Sequence, residues 1–403
     1  MMIVFVNRLL SALMLLTLSY EMLRAQTNSP RQTQEEYNPL RLDAADEIEN
    51  QRIDNKDILK AKGHVKFSQD TLTATCDQAA FFRDLQMAIL IGDVALHDLH
   101  RTIFCEKARY YAKQRKSVCQ GNVVFIDRST TLVADSLIYF QDIGQLFAYG
   151  NVVVFDSLES VTIYGDESFY DVRREYANVK GHPYMIQYDS TKFKGQNTAR
   201  LSRGLMSNPI LDTIGNPIRY RSEDQLSAKG LFVESFIEKN KVIIKDSVSF
   251  IREKLYTTSQ KATFFTKKEI LLLEDKPAAT YENNLMTGDT MQVQFKNKVI
   301  HTIYVKGNGE ASSEADSRGK KTHRLKAKEM TMSIEDNKLQ TLEAQGNAYN
   351  IYYLENNGGV NEISGPKIIL YFAQSGKLDR FKVVGGTEGT YFPEKYEDKV
   401  GKN

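Results

Sequence analysis

Cys119-Gln120-Gly121-Asn122-Val123-Val124-Phe125, then Leu132-Val133-Ala134-Asp135-Ser136-Leu137-Ile138-Tyr139, then Ala148-Tyr149-Gly150-Asn151-Val152-Val153-Val154: a glycine motif, an acidic motif and the glycine motif again follow one another at fixed spacing. Working outward from them, the glycines recur at Gly63, Gly92, Gly121, Gly150 and Gly181, in three equal steps and a slightly longer fourth. Between them runs an acidic ladder, Asp77, Glu106, Asp135 and Asp166, each acid half a step before the next glycine. Two ladders in one register, at a period within the range of roughly 20 to 50 residues, mark a stack of supersecondary units.

Alternation within each unit assigns them to strands. Two and four residues after the glycines stand Val65 and Phe67, Val94 and Leu96, Val123 and Phe125, Val152 and Val154. An apolar residue at every second position is an extended strand with one buried face. Around the acids the apolar positions are odd before (Leu132, Ala134) and even after (Leu137, Tyr139), so the strand slips phase there. Apolar residues three before the glycines (Ile89, Val118, Phe147) give the same slip at the glycine. Each unit is therefore expected to turn two separate corners, one at Gly63, Gly92, Gly121 or Gly150 and the other at Asp77, Glu106, Asp135 or Asp166. The expected architecture is all-β: a two-walled, solenoid-like coil of short strands, each paired with its equivalent one repeat of about 29 residues later.

Val65, Phe67, Val94, Leu96, Val123, Phe125, Val152, Val154, Leu132, Leu137 and Tyr139 make a continuous apolar stripe inside this coil. It is either a dry core between the walls, as any solenoid needs, or, if the walls splay, the lining of a groove for acyl chains. Small inward residues (Ala74, Ala79, Ala108, Ala134, Gly165) leave room for the second reading.

The bulk numbers exclude other classes. Lys+Arg 53 against Asp+Glu 51 gives a net charge of +2 with no basic block, so nucleic acid is not expected as a partner. With 41% hydrophobic residues and 10% aromatic, all Phe and Tyr, the composition is that of a folded, β-rich chain. No nucleophile elbow, metalloprotease helix or phosphate loop occurs, and no catalytic residue, cofactor or metal is assigned. His97 and His100 have the spacing of a metal pair without a third ligand and read as solvated. The acids recur once per unit, where turn hydrogen bonding accounts for them better than glycosidase chemistry. Cys76, Cys105 and Cys119 make no obvious disulfide framework; Cys76 and Cys105, one repeat apart, are expected on neighbouring rungs, where a bridge would meet poor geometry and two small buried hydrophobes is the better reading.

Residues 1–25, with Arg8, the apolar run Leu9–Leu18 and Ala25, read as a signal peptide. A polar lead-in follows over 26–40, then repeats over 41–191 beginning with an irregular rung. The register is lost over 192–224, where Gly and Pro crowd, and a linker or irregular rung is expected there. It resumes over 225–392 with Asp246, Asp275, Gly307, Gly346 and Gly385 as landmarks and a polar insert from Glu310 to Thr322, and residues 393–403 are expected to fray. Ten rungs at roughly 4.8 Å would stack to about 50 Å.

The repeated glycine-Asn-Val strand alternating with the Ala134-Asp135…Leu137…Tyr139 strand resembles the OstA-like, or LptA-type, proteins of lipopolysaccharide transport, strongly over Ala61–Asp189 and more loosely over Ser227–Phe392. The resemblance implies a twisted, V-shaped β-jellyroll in the periplasm of a diderm bacterium. It further implies that the jellyroll shields lipopolysaccharide acyl chains between its walls and joins edge to edge with other jellyroll proteins, or with itself, for outer-membrane biogenesis. The repeats number about twice those of a minimal bridge protein, and no C-terminal run of amphipathic strands long enough for a membrane barrel follows them. The alternative is an exported structural or adhesive β-solenoid with a dry core.

Overall fold

A computed structural model describes residues 38–53, 56–157, 161–188, 225–315, 321–354 and 358–401. The expected signal peptide, all but the end of the lead-in, the segment 192–224 and the middle of the polar insert lie outside the described residues. From Arg41 on, the chain forms one compact unit. Among the described residues there are 26 strands in a single hydrogen-bonded sheet, with 3-10 turns at Ala112–Gln114 and Glu394–Lys399.

The fold is all-β, but the strands pair differently from the expected coil. Strands Lys56–Gln69, Leu72–Phe82, Met87–Asp98, Arg101–Tyr111, Lys116–Asp127, Thr130–Phe140 and Gln145–Asp156 run 11 to 14 residues, and each pairs antiparallel with the next. No strand among them pairs with its equivalent one repeat later. The reason is the connection: tight turns such as Asp70-Thr71 and Arg128-Ser129 return the chain at once, and a two-residue reversal permits only antiparallel neighbours. One repeat is thus two long bent strands.

The two expected corners are a single line across the sheet. Gln120 pairs with Ser136 and Val123 with Ala134, so Gly121 and Asn122 together oppose Asp135. Gly63-His64 oppose Asp77, and Gly92-Asp93 oppose Glu106, in the same two-against-one bulge. On its other side each acid lies on the next glycine: a Cβ on Gly92 would stand 2.9 Å from Asp77 Cβ. The polar residue after the glycine binds that acid, Asn122 Nδ2 donating to Glu106 Oε1 at 2.5 Å and Asn151 Nδ2 to Asp135 Oδ2 at 2.9 Å. Both members of the pair have positive φ, +80° at Gly121 and +45° at Asn122. This explains the favoured types, since glycine and asparagine adopt that conformation at least cost.

Buried positions around the glycine also differ from expectation. Ile89, Val118 and Phe147 face outward and are half-buried, whereas residues two and four before the glycine (Leu90 and Ala88, Cys119 and Ser117, Ala148 and Leu146) are buried. The two-residue bulge preserves inward parity on the glycine strand, while the acid strand slips by one. Each strand is folded so that its halves lie in opposite walls: the half after each acid pairs with the half before each glycine in one wall, and the remaining halves pair in the other. Phe125 of the second wall meets Tyr139 and Tyr170 of the first at ring-centroid distances of 6.1 and 6.2 Å.

The sheet continues across the segment 192–224. Tyr184–Tyr188 pairs with Gln225–Lys229, Tyr176–Lys180 pairs with Phe232–Phe236, and one buried cluster runs from Ile163 to Leu370. In the later repeats Asp246-Ser247 and Asp275-Lys276 take the paired positive-φ position without glycine, and Gly307-Asn308 takes it on Asp289. At the start, Asp46 bonds His64 at 2.8 Å, so the first rung is built on the same plan as the others. Strands fill both ends of the expected polar insert, Glu310–Glu314 pairing with Thr322–Lys326. In the tail, Glu397 pairs with Lys321 at 2.7 Å and Gly401 N–H donates to Glu362. With two strands per repeat, a row across one wall from Asn50 to Phe381 crosses 20 strands, on the order of 90 Å at roughly 4.8 Å each, longer than the sequence-based length.

Gly92→Ala should destabilise the protein by about 2–4 kcal/mol, from left-handed strain and the Asp77 overlap together. Asp77→Gly in the same chain should recover part of the loss. Urea unfolding of the two single variants and the double variant measures this, and additive losses would show that the two sites do not couple.

Candidate functional site

Between the walls the stripe predicted from sequence is gathered but mostly closed. Val65, Phe67, Val94, Leu96, Val123, Phe125, Leu132, Leu137, Tyr139 and Val152 are buried in side-chain packing, and Val154 is half-buried. The small residues expected to leave room do not: Ala74, Ala79, Ala108 and Ala134 are buried beneath larger neighbours, and a Cβ on Gly165 would overlap Val179.

A polar seam closes the free margins of the walls over the first repeats. Tyr110 Oη donates to Gln69 Oε1 at 2.6 Å, Tyr139 Oη to Asp98 Oδ2 at 3.3 Å, and Tyr170 Oη to Asp127 Oδ2 at 3.4 Å. Each tyrosine stands four residues after its acid, and each acceptor six after its glycine, so the seam shares the period of the ladders. Around Asp98 it thickens: Arg101 Nη1 donates to Tyr139 Oη at 2.8 Å, and Thr71 and Gln141 donate to Asp98 Oδ1 at 2.7 and 3.0 Å. His100 lies 3.1 Å from Asp127, while His97 bonds Thr102. Asp98 and Asp127 are each 4% exposed, and buried carboxylates are retained where such partners surround them. Burial pushes the Tyr139 hydroxyl up to about 12, with Arg101 opposing the shift, and burial raises Tyr110 and Tyr170 as well.

The seam stops where a cavity begins. A space of about 270 Å³ lies between the walls, lined by Phe125, Leu132 and Val154 on one side and by Val179, Ser235 and Val242 on the other, with Asp156, Lys241 and Lys267 also on its lining. Its cause is visible in one cross-strand row of the first wall. At successive acid-bearing strands or their equivalents the row carries Phe81, Tyr110, Tyr139, Tyr170, Ser235, Phe264, Val293, Met332 and Leu370, with Ala177 paired between Tyr170 and Ser235. Ser235 is the one small side chain among those nine. Beside Ala177 it leaves unfilled the volume that a tyrosine or phenylalanine fills elsewhere. Sequence reading missed Ser235, Phe236 and Val242 because 192–224 interrupts the register, and Ala177, which precedes the interruption, because its pairing with Ser235 spans it. Counting across the pairing rather than along the chain recovers them.

The cysteines are free and buried. Cys119 and Cys105 are the pair in contact: the hydrogen bond between them, and then burial, raise the Cys119 thiol, while Cys76 Sγ reaches Gln78 O at 3.2 Å. Among the described residues no group of three or more His, Cys, Asp or Glu is placed to hold a metal ion.

The geometry is that of a β-jellyroll, two walls of one folded antiparallel sheet enclosing an apolar interior. Residues 105–195 match the model of the family of OstA-like proteins. Among solved structures, the chain is similar to LptH of Pseudomonas aeruginosa, described as the LptA-homologous periplasmic component of the conserved lipopolysaccharide transport device. The identity is 20%, the match covers 36% of this chain and 82% of that one, and the TM-score is 0.26. No curated protein matches.

A tyrosine whose folded pKa lies above its unfolded value of about 10 keeps its proton longer in the native state. Its stabilising contribution is complete below pH 10 and is lost as pH rises towards 12. Tyr139→Phe should therefore cost about 1 kcal/mol at pH 7 and flatten the decline between pH 10 and 12. Denaturant midpoints across that range test it; an unchanged decline would exclude Tyr139 from the titration.

Proposed function

We propose that this chain is a non-catalytic, exported bridge protein that carries lipopolysaccharide across the periplasm, holding acyl chain between its two walls. The observation that carries the reading is the apolar cavity between the walls, whose lining from Phe125 to Val179 lies within the OstA-like segment. A cavity of this kind, apolar inside with a few polar groups at its rim, is the usual form of a lipid or small-molecule site. The ends of the sheet add support for edge-to-edge assembly. Arg41–Ala44 and Glu47–Ile53 form one terminal edge, and Leu378–Val384 and Glu388–Phe392 the other. Each presents backbone groups to which another strand can add, and Phe381, Val384 and Tyr391 are exposed at the second.

The dry-core alternative draws on the closed packing of the first repeats. A photoreactive amino acid at Val154, on the cavity wall, separates the two. Lipopolysaccharide should crosslink there, and Val154→Asp should lower binding at least tenfold without unfolding the chain, because Val154 is only half-buried. Absence of any captured lipopolysaccharide at that position would favour the dry solenoid.

A further inference from the structure

We propose that the gap at Ala177 and Ser235 is the port of this protein: one alkyl chain of an anionic amphiphile enters between the walls there, while the Tyr110, Tyr139 and Tyr170 seam keeps the preceding repeats shut. The inference rests on the lipid-carrier reading and goes beyond it by assigning where along the stack the chain enters and which residues decide this.

Three observations converge. The wall row is filled by large side chains at every acid-strand position except Ser235, so the opening is a local substitution within an unbroken architecture. The seam has a partner geometry that Ser235 cannot reproduce. Tyr110, Tyr139 and Tyr170 each cross the margin to the residue six after the glycine three strands earlier. Asp156 is the residue in that position relative to Ser235, and it lines the cavity. A serine hydroxyl is too short to span the walls as a tyrosine does. The volume, about 270 Å³, is nearly twice that of an apolar cavity of about 150 Å³ that stays dry and takes up benzene. That is room for a narrow hydrocarbon segment and too little for several chains side by side.

Charge selects the head. Lys241 and Lys267 lie on the lining against the single carboxylate of Asp156, and the Lys241 ammonium sits 4.7 Å from the centre of the Phe236 ring. A phosphate or carboxylate held at the margin while its chain lies inside fits this arrangement, since lysine stems cover apolar surface with their charge kept in water.

The full chain is irradiated with decyl phosphate carrying a diazirine on its alkyl chain, and the labelled peptides are mapped. Label is expected on the strands around Val154 and Val242. It should fall at least tenfold in Ser235→Tyr and in Ala177→Leu, two substitutions that fill the gap from adjacent strands, with folding checked by circular dichroism. Label spread over the first repeats, or unchanged in whichever of these variants folds, overturns the port. The trimethylammonium analogue should label at least fivefold less, and Lys241→Glu with Lys267→Glu should reverse the preference; equal labelling by both heads overturns the choice of an anionic head. Rough lipopolysaccharide, crosslinked in parallel, separates this proposal from the one beneath it. Capture equal in wild type and folded variants defeats the port and leaves the carrier standing, whereas no capture even by wild type defeats both.

Discussion

A carboxylate laid against a bare Cα sets the geometry of this molecule. Wherever Asp77, Glu106, Asp135 or Asp166 lies on Gly92, Gly121, Gly150 or Gly181, the neighbouring strand must bulge, and a sheet of long strands must fold along that line. Without the bulge each long strand would run straight, and its apolar face would have no opposite wall to meet. The interior, the seam and the cavity all follow from a bend repeated at the same place in every rung.

The two ends of the stack use the interior differently. In the first repeats the margins are joined by buried hydroxyl, carboxylate and guanidinium groups that reach across from one wall to the other. In the later repeats the same row is apolar, with Phe264, Val293, Met332 and Leu370 packed without a tyrosine hydroxyl to latch. Met330 and Met332, flexible side chains, belong to that later part. The cavity falls at the junction between these two ways of closing the walls.

Much of this was legible in the sequence because bends leave chemical traces. Glycine followed by Asn, Asp or His at fixed intervals, with an acid half a step before, can be read directly, and so can alternation on either side. The direction of pairing was not legible from the period: it fits one coil turn as well as two antiparallel strands, and only the two-residue turns such as Asp70-Thr71 and Arg128-Ser129 discriminate. Ile89, Val118 and Phe147 misled because they are large and apolar yet belong to the outer face, where Phe147 packs on Phe140 and Phe169. The cavity was hidden for a different reason. It results from what Ser235 lacks relative to residues that share its row but stand as far away in sequence as Phe81, and its presence depends on pairing that no local pattern states.

Because each rung is pinned at its middle, its ends are free to vary. The step from Gly307 to Gly346 is longer than the step from Gly63 to Gly92, yet the wall row stays in register from Asn50 to Phe381. The bend line thus serves as a datum from which strands are measured outward, so insertions accumulate at the turns without shifting the walls. A protein built this way can change its span by whole rungs and its surface by turn length, independently of each other.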